Sequence, residues 1–170
     1  MLIDHAAARL NPTKHTLVVL VENKPGVLNR VASLFRRRSF NIDSLTVGET
    51  DDPTVSRMTI VVDASKTSAA LVERNLLKTI PVIDVQDITN LPMVARELAL
   101  IKVKVENTAK RSEIKHIVDM FQSRVEDVSK DSVIIEITGE ETKIDSLLKV
   151  LADYSILEVV RTGRVAMTRG

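Results

Sequence analysis

The chain has 170 residues, room for two ordinary domains, and its 44% hydrophobic content with only 2% aromatic residues calls for aliphatic cores. With 24 Lys and Arg against 23 Asp and Glu the net charge is +1, which argues against broad electrostatic binding of nucleic acid. The absence of cysteine excludes disulfides, thiolate zinc sites and cysteine nucleophiles, and no apolar run is long enough to span a bilayer.

The opening MLIDHAAARLNPTK has neither the charged nor the apolar region of a signal peptide. A cytoplasmic protein is expected, with residues 1–13 a tail that holds at most a helical turn stopped near Pro12. His15–Glu22 reads as a strand apolar on both faces, with Leu17, Val19 and Val21 on one and Val18 and Leu20 on the other, which places it inside a sheet. Pro25–Arg38 reads as a helix: Val27, Val31, Leu34 and Phe35 share a face, and Arg36, Arg37 and Arg38 suit the negative end of the helix dipole. Phe40–Gly48 and Thr54–Asp63 are strands joined by a hairpin loop containing Asp51, Asp52 and Pro53. A helix over about Lys66–Thr79, with Ala69, Val72, Leu76 and Ile80 on one side, is closed by Pro81, and Val82–Ile88 is a strand.

After Leu91-Pro92 the order recurs. Ile101, Val103 and Val105 alternate with Lys102, Lys104 and Glu106 in a strand; Ile114, Ile117, Val118 and Phe121 mark a helix. Val125–Ser129 and Ser132–Thr138 form a hairpin, Ile144, Leu147, Leu148 and Leu151 mark a second helix, and Ile156–Arg164 is the last strand. The fold class is α+β: two ferredoxin-like βαββαβ domains, residues 14–90 and 91–170, each an antiparallel sheet with its helices on one face.

No catalytic constellation emerges. His5, His15 and His116 lack metal-ligand spacing, and the reading of choice for each is an ordinary surface histidine. Asp51-Asp52 beside Pro53 reads as a solvated turn, and there is no phosphate loop. RNA recognition on an open sheet needs stacking aromatics, for which three Phe, one Tyr and no Trp are a poor supply. No metal or cofactor is expected in this chain.

A binding module remains. Both copies end their first strand in Val-Glu-Asn, but Lys24-Pro25-Gly26 follows only Asn23, and Thr108-Ala109-Lys110 follows Asn107. The N–H groups of Gly26, Val27 and Leu28 lie in a helical first turn, where backbone donors lack partners and the dipole is positive, so a carboxylate fits. Gly26 permits close approach, and Asn23 offers an amide. The competing reading is that Asn23 caps the helix and Gly26 relieves a turn.

The stretch Asn23–Val62, with PGVL, NIDSLTVG and TDDPTVSRMTI in order, closely resembles the ACT domain of acetohydroxyacid (acetolactate) synthase small subunits, and RTGRVAMTRG at the end suits the same family. The resemblance runs from about Lys14 onward. It implies a non-catalytic regulatory subunit that binds and activates a thiamine-diphosphate-dependent catalytic subunit, the partner that also carries Mg and FAD. It further implies feedback inhibition by valine, bound where the ACT domains of a homodimer meet edge to edge. Carried over, the valine site comprises Asn23, Gly26, Val27 and Leu28 of one subunit, with Asn41 and Ile42 of the other. The backbone at Gly26–Leu28 takes the carboxylate, the oxygens of Asn23 and Asn41 accept from the ammonium, and Val27, Leu28 and Ile42 surround the branched side chain. For the surface that meets the catalytic subunit, Asp51, Asp52 and Arg57 in the hairpin loop are the candidates. Ser39 departs from the Gly usual in the family at that helix end, which costs on the order of 1 kcal/mol if the residue is left-handed. The alternative function on the same architecture is a free-standing double-ACT regulator of gene expression; an acylphosphatase-like enzyme lacks its Gly-rich loop.

Overall fold

Leu17, Val18, Val19 and Val21 are all buried in β1 (Lys14–Glu22) of the computed structural model, which describes residues 13–170. In the plane of the sheet β1 lies between β3 (Val55–Asp63) and β4 (Val82–Asp87), and β2 (Asn41–Glu49) pairs with the far side of β3. The resulting order β2-β3-β1-β4 is antiparallel throughout. Helices α1 (Val27–Arg38) and α2 (Ala69–Leu77) cover one face. Val31, Leu34, Phe35, Val72 and Leu76 from the helices pack with Leu17, Val19, Met58, Ile60 and Val62 from the sheet in one core. Ala69, Val72 and Leu76 are buried as their spacing predicts, but Ile80 lies beyond the end of α2 and is 89% exposed.

The second copy repeats this plan. Its strands are β5 (Met93–Lys104), β6 (Arg124–Val128), β7 (Ser132–Gly139) and β8 (Ile156–Arg161), in the order β6-β7-β5-β8. Helices α3 (Thr108–Met120) and α4 (Glu141–Leu151) contribute Ile114, Val118, Ile144, Leu147 and Leu151 to a separate core with Ile101, Val103, Ile135 and Ile137. Two βαββαβ domains with antiparallel sheets are thus present. Among the described residues, no helix is long and apolar enough to cross a membrane.

The end of the chain departs from the expected single strand Ile156–Arg164. β8 stops at Arg161, Gly163 takes φ 84°, and a further strand, β9 (Val165–Thr168), follows. A residue with positive φ takes the backbone out of the extended path of a strand, and Gly adopts it without a Cβ clash. Apolar alternation alone does not reveal such a break. In consequence Arg164–Gly170 groups with the first unit, which otherwise ends at Val94, and the second unit is Ala95–Gly163. The tail with His5 and Pro12 lies outside the described residues.

Helices α1 and α3 end alike. Ser39 is left-handed at φ 53°, its N–H bonds to the Arg36 carbonyl, and the Phe40 N–H reaches back to Phe35 at 3.0 Å. Gln122 is left-handed at φ 51°, with Gln122 N–H on Asp119 and Ser123 N–H on Val118 at 3.0 Å. Both are Schellman closures, and both use a residue with a Cβ.

Candidate functional site

The junction after β1 is built unlike its counterpart in the second unit. There, Asn107 is the N-cap of α3, and its Oδ1 accepts from the Lys110 N–H at 2.9 Å. Asn23 does nothing of the kind. Its N–H donates to the Thr54 carbonyl at 2.7 Å and its Nδ2 to the Pro53 carbonyl at 2.9 Å, so it clamps the strand end to the β2–β3 loop. The helix therefore begins three residues later, and its N-cap is Gly26, left-handed at φ 85° and without a side-chain cap.

Three consequences follow. Gly26 is exposed, and a Cβ built there meets nothing within 4 Å, so the space over the helix end is open. Among the described residues, the N–H groups of Gly26 and Leu28 have no hydrogen-bond partner, whereas Val27 N–H bonds to the Lys24 carbonyl at 3.3 Å, narrowing the expected trio of donors to two. Finally, the bond from Asn23 Nδ2 to Pro53 orients the amide and leaves its oxygen, an acceptor, and one N–H to offer.

The apolar members divide. Leu28 is 45% exposed at the first turn, but Val27 is 7% exposed in the core of its own unit, and Ile42 packs partly against that core. Asn41 is exposed at the start of β2 and donates from Nδ2 to Asp43 Oδ1 at 2.8 Å, which again leaves an amide oxygen to present. Asp43, the bulge residue between Ile42 and Ser44, also pairs with Lys14 at 3.0 Å. The sequence reading passed over this carboxylate beside Asn41; its adjacency to Asn41 was the available signal.

Asn23 and Asn41 do not meet within one chain. Asn41 lies in register with Asp63 and Lys14, whereas Asn23 follows Glu22 at the opposite end of β1. The nine residues of β1 separate the two ends of the sheet, roughly 25–30 Å at the rise of an extended strand. Strand β2 is at the edge of its sheet, with one side of its backbone unpaired and Val47 46% exposed.

The three loop residues have separate settings. Asp52 Oδ1 accepts from Thr54 Oγ1 at 2.7 Å and from Thr54 N–H at 2.9 Å, bonds that hold its carboxyl below the usual carboxylate range and lock the turn. Arg57 Nη2 donates to the Ala166 carbonyl at 2.7 Å, and Asp51 is exposed. Of the histidines, His15 Nδ1 lies 2.8 Å from Asp87 Oδ2, and His116 is exposed on α3. No cluster of three or more His, Cys, Asp or Glu suited to a metal occurs among the described residues.

Known proteins match both units. A family model described as an AHAS small subunit-like ACT domain matches residues 17–84, and one described as the small subunit of acetolactate synthase matches residues 96–170. A probable acetolactate synthase small subunit from Archaeoglobus fulgidus is 52% identical over 157 residues, covering 92% of this chain and 98% of that protein. The chain belongs to the acetolactate synthase small-subunit family. A Mycobacterium leprae acetolactate synthase small subunit is 49% identical over 156 residues, 92% of each chain. The crystal structure of the acetolactate synthase small subunit from Thermotoga maritima superposes with a TM-score of 0.84 at 41% identity, over 92% of this chain and 98% of that one. The ACT-domain match includes the uncapped helix end at Gly26.

Proposed function

We propose that this chain is the non-catalytic regulatory partner of an acetolactate synthase catalytic subunit, which it activates and on which it confers feedback inhibition by valine. The observation that carries the valine reading is the helix end at Gly26: uncapped, open above, and displaced from its capped counterpart at Asn107 by the Lys-Pro-Gly segment. Free N–H groups at the positive end of a helix dipole suit a carboxylate. The amide oxygens of Asn23 and Asn41 suit an ammonium, and the exposed Leu28 suits a branched aliphatic group. Val27 and Ile42 belong to the wall behind that group. A zwitterion so held has hydrogen-bond partners at both ends.

In this reading the site is shared. Asn41 is too far from Gly26 to serve the same ligand within one chain, so Asn41 and Ile42 come from a second copy paired along the β2 edge as a homodimer. Valine then bridges two subunits, favours one arrangement of the pair, and inhibits because the catalytic subunit prefers another. Thiamine diphosphate, Mg and FAD belong to that subunit, and the assembly works in the cytoplasm.

The test is calorimetric titration of the purified chain with valine, using leucine, isoleucine and serine for comparison, on wild type, Gly26→Ala and Gly26→Asp. Wild type is expected to bind valine saturably. Gly26→Asp is expected to abolish binding, since it sets a negative charge where the carboxylate sits, while Gly26→Ala keeps the charge and incurs only the cost of φ 85°, about 1 kcal/mol. Valine binding retained by Gly26→Asp removes the ligand from this helix end. No binding by wild type, alone or with the catalytic subunit present, ends the valine reading.

A further inference from the structure

The side chains of the first sheet alternate between two faces. Leu17, Ile60 and Leu45, in register, meet the helices; their neighbours Val18, Thr59 and Thr46, and Thr16, Val61 and Ser44, point the other way. On that second face lies the end of the chain. The Arg164 carbonyl accepts from Thr46 Oγ1 of β2 at 3.1 Å, and Arg164 Nη1 donates to Thr16 Oγ1 of β1 at 2.8 Å. The Arg164 N–H makes a long contact of 3.4 Å with Ser44 Oγ, also on β2. Two residues later the Ala166 carbonyl accepts from Arg57 of β3 at 2.7 Å, and the Arg169 N–H donates to the Pro92 carbonyl at 2.8 Å. Ala166 is 7% exposed, whereas Val165 and Met167 are 50% and 65% exposed, so β9 alternates as a strand lying on a surface should.

We propose that Arg164–Arg169 is a brace that holds the edge strand β2 against β1 and β3 and thereby keeps the β2 edge in shape for a second copy. The inference rests on the reading that two copies meet along β2. Its physical basis is the weakness of β2 within its own unit. The strand has a partner on one side only, its register shifts at Asp43, and Val47, Gly48 and Glu49 are all exposed. An edge strand so placed is among the first elements to open. The brace touches β2 at Ser44 and Thr46, in its middle, and is tied to the neighbouring strand β3 and, beyond it, to β1. Bonds from three strands converge on Arg164 and Ala166, so strand β2 separates from the sheet only if the brace lets go.

The experiment compares hydrogen exchange and self-association of the full chain, the double variant Thr16→Val/Thr46→Val, and a chain ending at Gly163. Valine matches threonine in shape and favours strands, so the double variant removes the two hydroxyl contacts with little threat to folding. In both altered chains the β2 amides bonded to β3 are expected to exchange at least tenfold faster, while those that join β6 to β7 keep their rates. Dilution in sedimentation velocity should show self-association weakened at least tenfold. Unchanged β2 exchange in both chains overturns the brace, and so does faster β2 exchange with self-association unaltered. A wild-type chain that never self-associates defeats the shared-site reading instead, and exchange of β2 in the double variant still decides whether the segment braces it.

Discussion

Ser39 and Gln122 occupy matching positions in the two units, each left-handed at a helix end that glycine would close without strain. An L-residue there loses on the order of 1 kcal/mol relative to Gly. Ser39→Gly and Gln122→Gly are therefore each expected to raise stability by about 0.5–1 kcal/mol, part of the relief being offset by the greater freedom of Gly in the unfolded chain. Urea denaturation monitored by circular dichroism would read this as a higher midpoint with an unchanged slope. Ser39 was legible as a doubtful position from the sequence, and the left-handed geometry makes the cost concrete. The roles of the two Asn residues were not legible. Val-Glu-Asn appears twice, yet Asn107 caps a helix three residues ahead and Asn23 binds carbonyls 30 residues away at the β2–β3 loop. A short-range pattern reports the first kind of contact and is blind to the second.

At the scale of elements, period and burial agreed wherever a side chain answers to its own helix or strand. The stripe Val27, Val31, Leu34, Phe35 is buried as spaced. Failures came where the backbone stopped following the pattern: Ile80 continues the spacing of α2 past its end, and Gly163 breaks a run that reads as one strand. The β2–β3 loop shows how an element redistributes roles. Asp52 is spent on Thr54, so its substitution would loosen the turn as well as change charge. Asp51→Lys is the cleaner probe of contact with the catalytic subunit, and a drop in activation of severalfold with valine binding unaltered is expected in an assay of the reconstituted enzyme. A second element-scale feature is the seam between β1 and β4. Burial raises the Asp87 carboxyl, but hydrogen bonds from Thr89 and His15 outweigh it, and the net shift is downward. A carboxyl lowered on folding adds stability that is complete above its unfolded value, near 4, and is lost as pH falls through the lower folded value. Between pH 6 and pH 2, wild type should thus lose more of its stability than Asp87→Asn, and urea midpoints across that range would show the variant's flatter profile.

The whole molecule is two cores in one chain, each with its own aliphatic cluster. In the second, Arg161 forks onto Glu97, at 2.9 and 2.7 Å, and reaches Asp145 at 2.8 Å, with Glu97 only 8% exposed. Removing a partner from a buried ion pair leaves an uncompensated charge. Arg161→Ala is expected to destabilise the second unit by about 2–3 kcal/mol while amides of β1 and β3 keep their protection, which hydrogen exchange resolves unit by unit. This separation was readable from the repeated order of strands and helices, because each repeat supplies a complete set of apolar faces. The return of the final residues to the first unit was not readable, since it depends on hydroxyl and carbonyl contacts between residues more than 100 apart. That return also sets an order of folding. Contacts spanning 109, 118 and 148 residues join Arg164 and Ala166 to β3, β2 and β1. Closing so long a loop costs entropy that contacts nearer in the chain do not. The second face of the first sheet is therefore completed after the core on its helix side, and the slowest step of refolding in the first unit belongs to contacts that its own helices do not make.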